Sequence, residues 1–134
     1  MYEDTIIQLR GFHNNIDYAG NIEGFQFDVR TKYYSGNFLS SMVIKEVTVD
    51  GIVFPRESQI WVIDGVPYRP DDMLELGDVY WQLDQCATIK IKLDGGLAQG
   101  YHDVSINFGW IHNYAPLEEQ PHTPAGNSRR MLIV

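Results

Sequence analysis

Residues 87–93 read Ala-Thr-Ile-Lys-Ile-Lys-Leu, and the two-residue rhythm of this stretch decides the fold. Ala87, Ile89, Ile91 and Leu93 fall on one side of an extended chain and Thr88, Lys90 and Lys92 on the other, because successive side chains of a strand point to opposite faces. A helix would scatter the same apolar residues around its axis. Working outward, the alternation recurs over Ile6–Gly11, Ile22–Thr31, Met42–Asp50, Gln59–Ile63, Val79–Leu83, Tyr101–Ile111 and Met131–Val134, which are therefore predicted strands.

Turn residues separate these runs. Asp50-Gly51, between Val-Thr-Val and Ile-Val-Phe, has the chemistry of a tight hairpin, since Asp and Gly tolerate positive φ; Asp64-Gly65 before Val66-Pro67-Tyr68 repeats it. The run LDGGLAQGYHDVSI, residues 93–106, joins two strands through Gly95-Gly96 and Gly100, like the connection that crosses between sheets in immunoglobulin-type sandwiches. Pro70–Leu76, with acids early, is the one predicted helical turn. Short strands without crossover helices imply an all-β chain, a single-domain antiparallel β-sandwich over residues 1–134, immunoglobulin- or fibronectin-like; a flattened barrel is the alternative. Residues 115–130, APLEEQPHTPAGNSRR, hold three of the six prolines and no apolar alternation, so a long Pro-rich loop or arm is expected before the last strand.

At 134 residues the chain suits one core, burying roughly two-thirds of its unfolded surface. Ten basic against eighteen acidic side chains give a net charge of −8, with the acids dispersed, which disfavours nucleic acid or an anionic membrane as partner. Cys86 stands alone, so no internal disulfide is expected. The start, MYEDTIIQLRG, lacks the basic end and apolar run of a signal peptide, and no stretch approaches the ~18 apolar residues of a membrane span. A cytoplasmic protein is the expectation.

Catalytic patterns are scarce. His13, His102, His112 and His122 show no HxH, HExxH or Cys/His spacing. His102 shares a face with Val104 and Ile106, so a packed, hydrogen-bonded imidazole is expected, and the same reading is given to His13 in the loop His13-Asn14-Asn15. His112, Glu118, Glu119 and His122 are dense enough to fold round a divalent ion, but their spacing fits no ligand pattern and a solvated loop is the stronger reading. Cys86 reads as a small buried thiol at a strand start, no serine sits in a GxSxG turn, and no glycine run cradles phosphate. Asp28 and Arg30 alternate with Phe25, Phe27 and Val29 in Gly24–Gly36, which places both on the polar face of one strand, free to pair with each other or with a neighbour.

Aromatic residues are the conspicuous surplus, seventeen in all. Some must fill the core. Trp110, Tyr114, Pro116 and Leu117 gather with His112 beside the long loop, and Tyr33-Tyr34 follow the strand of Asp28, so these seven are the candidates for a protein interface.

The ordered series GFQFDVRTKYYSG, VTVDG, RPDDMLEL, VYWQLDQCATIKI and GGLAQGYHDVSINFGW resembles the small, beta subunit of bacterial C-glycoside deglycosidases over roughly residues 9–116. The resemblance implies a hetero-oligomeric carbon–carbon lyase. An alpha subunit, a TIM barrel related to xylose isomerases, would carry a divalent metal, manganese, and a histidine base; the complex would cleave 3-oxo-C-glycosides of flavonoid-type aglycones. The beta subunit would be a β-sandwich bound to that barrel, holding neither metal nor catalytic residue of its own. Two competing readings stand beside it: a stand-alone carbohydrate-binding module that stacks sugars on exposed Trp61, Trp81 or Trp110, and a small enzyme built on His112, Glu118 and His122.

Overall fold

A computed structural model of the protein describes residues 7–30, 37–38, 42–73, 80–81, 86–111, 122–124 and 127–133. Its strands are β1 (His13–Ile16), β2 (Ile22–Val29), β3 (Asn37–Phe38), β4 (Met42–Val49), β5 (Ile52–Phe54), β6 (Gln59–Ile63), β7 (Val66–Tyr68), β8 (Tyr80–Trp81), β9 (Ala87–Lys92), β10 (Gly100–Ile111), β11 (His122–Pro124) and β12 (Asn127–Ile133); a turn of α-helix, α1, spans Pro70–Met73, and a 3-10 turn spans Arg56–Ser58. One sheet runs β1-β2-β9-β6-β7 and the other β11-β10-β4-β5, with β12 also on β10 and a separate β3-β8 pair. Every ladder is antiparallel. Among the described residues no ladder joins the two large sheets, so the architecture is the sandwich rather than the flattened barrel.

The opening stretch lies at the centre of the first sheet. Its inward residues form rows across three strands: Phe27, Ile89 and Trp61 in one register, Phe25, Ile91 and Gln59 in the next. The facing sheet supplies Ile44, Val47, Val49, Val104, Ile106, Phe108, Met131 and Ile133, and all pack into one cluster. Burying each large apolar side chain contributes about 1.5–3 kcal/mol. Trp61 stands edge-on to both Trp81 and Phe108, with centroids 5.9 and 5.5 Å apart, which ties the sheets together at their middle.

Both aspartate-glycine turns form with positive φ at each residue, Asp50 and Gly51, then Asp64 and Gly65. Residues 93–99 carry the chain from β9 in one sheet to β10 in the other, as expected. Asn14 holds that crossing in place: its side-chain amide donates to the Leu97 carbonyl and its oxygen accepts from the Leu97 N–H, each at 2.9 Å.

Three expectations need correction. Of the strand expected over Ile6–Gly11, the described part, residues 7–11, is not a regular strand; Ile7 makes a single bridge to Val29, and the chain then turns at Gly11, φ +86, to feed β1. That β1 covers His13–Ile16, a segment expected to be a loop, because an edge strand rich in polar residues shows no apolar alternation. The expected arm over 115–130 gives way at its far end: His122–Pro124 pair with β10, and the last strand starts at Asn127 instead of Met131.

Candidate functional site

Residues at one margin of the sandwich, where the end of β2 meets β12, line an open cleft of about 490 Å³: Gln8, Leu9, Arg10, Asp28, Arg30, Cys86 and Arg129. Arg30 follows the last residue of β2, and Cys86 precedes Ala87, the register partner of Val29, so adjacent strand ends deliver both. The turn at residues 8–11 is drawn against β2 by the Gln8 N–H donating to the Asp28 carbonyl at 2.9 Å. Gly11 is required there: a Cβ would lie 2.5 Å from the Asp28 Oδ2, so the carboxylate occupies the space a side chain would need. The Asp28 Oδ1 accepts the Thr88 hydroxyl at 2.7 Å, and thus the strand-face acid is held by the neighbouring strand.

Arg129 arrives from the opposite sheet. It shares the inward parity of Met131 and Ile133 on β12, both buried, yet its guanidinium reaches the rim and donates to the Ile7 carbonyl at 2.9 Å. One cationic group is therefore fixed between the sheets, while Arg10 and Arg30 stand exposed beside it. Among the described residues neither has a hydrogen-bonded or ion-paired partner. Cys86 is half-buried at this rim rather than packed in the core.

The other ionic contacts have structural duties. His102 is buried, as expected, and bridges two elements: its Nδ1 lies 2.6 Å from the Asp50 Oδ2 and its Nε2 2.7 Å from the Ala98 carbonyl. Both partners are acceptors, so both ring nitrogens must carry protons and the imidazolium is the form that fits. Burial pushes the group down, but the Ala98 carbonyl, the Asp50 hydrogen bond and the Asp50 charge outweigh it, and the net shift is upward. The Asp103 N–H and His102 hold Asp50 below the usual carboxylate value. Arg56 pairs with Asp71 and donates to the Ile44 carbonyl, closing α1 against β4. His13 differs from expectation: it is exposed, with Nδ1 3.0 Å from the neighbouring Asn14 carbonyl.

Of the interface candidates, Tyr33, Tyr34, His112, Tyr114, Pro116 and Leu117 lie outside the described residues, as do Glu118 and Glu119. Trp110 is in register with Met42 on one side and Thr123 on the other. Among the described residues no three His, Cys, Asp or Glu side chains converge on a metal-sized space. The sugar-stacking reading loses two of its three residues, since Trp61 and Trp81 are fully buried. Sequence reasoning found Asp28 and Arg30 by parity but missed Arg10 and Arg129, whose convergence exists only once β12 has been placed against the 8–11 turn.

Residues 2–114 match the family model described as C-glycoside deglycosidase beta subunit. A curated protein of Eubacterium cellulosolvens, named C-glycoside deglycosidase beta subunit, is 38% identical over 146 aligned positions, covering 98% of this chain and 99% of its own length. On both grounds this chain belongs to the C-glycoside deglycosidase beta subunit family.

Proposed function

We propose that this chain is the non-catalytic beta subunit of a cytoplasmic, metal-dependent C-glycoside deglycosidase, which stabilises a TIM-barrel alpha subunit and shapes the mouth of its active site. The observation that carries the reading is the near full-length match to a protein named C-glycoside deglycosidase beta subunit. The structural employment of His102 and Asp50 supports it, because their contacts tie β10 to the turn between β4 and β5. In this reading the metal, manganese, belongs to the alpha subunit.

The reaction proposed for the complex is elimination from a 3-oxo-C-glycoside. A carbonyl at the sugar's 3-position acidifies the adjacent 2-proton; a base removes it, and collapse of the resulting enolate breaks the carbon–carbon bond, leaving a C1–C2 double bond in the sugar while the carbon of the departing flavonoid-type aglycone takes up a proton. The beta subunit contributes surface, and Tyr33, Tyr34, Trp110, His112, Tyr114, Pro116 and Leu117 are the proposed contacts.

Co-expression with the alpha subunit tests the assignment. Co-purification is expected, together with lyase turnover that is lost when either chain is omitted and, after chelation, restored by manganese. Full turnover by the alpha subunit alone would overturn it.

A further inference from the structure

The cleft at the sandwich margin gathers three of the chain's six arginines, in a protein whose net charge is −8. Among the described residues its one carboxylate, Asp28, already accepts the Thr88 hydroxyl, and the missing side chain of Gly11 leaves room for it. Three guanidiniums against one carboxylate leave an excess of positive charge around a space of about 490 Å³, a volume within the roughly 300–1,000 Å³ of small-ligand pockets. Arg129 is positioned by its bond to the Ile7 carbonyl, with inward strand parity that an arginine would not adopt for solvation alone. Arg10 and Arg30, partnerless among the described residues, keep their planar forks available, and such forks match the paired oxygens of carboxylate or phosphate.

We infer that this cleft is an oxyanion site that takes a carboxylate or phosphate group between Arg10, Arg30 and Arg129. Gln8 adds an amide at its edge. The group is either that of a free small anion or a carboxylate presented by the partner subunit, and the chemistry of recognition is the same. The inference does not depend on the subunit reading, because the site is complete within this chain.

Calorimetric titration of the full chain at low ionic strength, with inorganic phosphate and separately with malonate, tests it. Saturable binding is expected, weakened by about tenfold or more for each guanidinium removed in Arg10→Gln and Arg30→Gln, and progressively lost as salt is raised. Among the described residues these two side chains form no hydrogen bond or ion pair, so the variants should melt as the parent does, which separates lost binding from lost fold. Repeating the titration on the co-purified complex distinguishes the sources: persistent binding identifies a free anion, and binding blocked in the complex but present in the chain identifies a partner carboxylate. No saturable binding to the chain, or equal binding by the doubly substituted variant, overturns the proposal.

Discussion

Gln59 is a fully buried polar residue at the start of β6, and its amide works in two directions. Its oxygen accepts the Trp61 indole N–H at 2.9 Å, and its nitrogen donates to the Lys45 carbonyl at 2.7 Å, where the ladder between β4 and β10 shifts register. The Gln59→Leu variant would keep the volume and strand both groups inside the protein, at about 1–3 kcal/mol for each unpaired group. A loss of about 2 kcal/mol or more is expected in urea unfolding, as a lower midpoint with an unchanged slope. Parity made this residue legible as inward-facing, since Gln59, Trp61 and Ile63 alternate with Ile60 and Val62. Its partner was not legible, because a bulge fourteen residues away leaves no mark in composition. Arg129 tells the same story: the sequence shows an arginine before the expected strand, and only the strand's earlier start gives it an inward register.

At the scale of elements, β10 and the turn between β4 and β5 are clamped through Asp50. The Asp50 N–H donates to the Asp103 carbonyl, the Asp103 N–H donates to the Asp50 Oδ1, and the His102 imidazolium holds the Oδ2. The signs of the two shifts differ. His102 is raised above 6.5, so its contribution is complete below that value and is lost as pH rises through the higher folded-state pKa. Asp50 is lowered below 3.8, so its contribution is present above that value and is lost as pH falls through the lower one. Denaturant midpoints measured across pH should therefore decline as pH rises above 6.5, and His102→Gln should flatten that limb while leaving the decline caused by other groups. The hairpin itself was readable from Asp50-Gly51, and the burial of His102 from its shared face with Val104 and Ile106. The clamp joining them needed the register of β4 against β10, which sequence alternation does not specify.

For the whole molecule, the alternating runs were enough to give two antiparallel sheets, because each run has one face to bury and glycine-rich turns between. The interface candidates fall mainly outside the described residues. Tyr33→Ala with Tyr34→Ala is expected to weaken co-purification with the alpha subunit by about tenfold, as aromatic anchors at interfaces commonly do, without moving the melting temperature of the isolated chain. A pull-down titration set beside a thermal melt checks both halves of that statement.

The pairing of β2 with β9 has a consequence for how the chain is made. Phe25 and Phe27 find Ile91 and Ile89 only after about 60 further residues have been synthesised, which at roughly 5–20 residues per second takes several seconds. During that interval β1 alone flanks β2, and an apolar strand with an open edge is a target for mispairing with other nascent chains. Glu23 and Asp28, with Arg30 just beyond, place charge along it, and charge beside an apolar strand disfavours such mispairing.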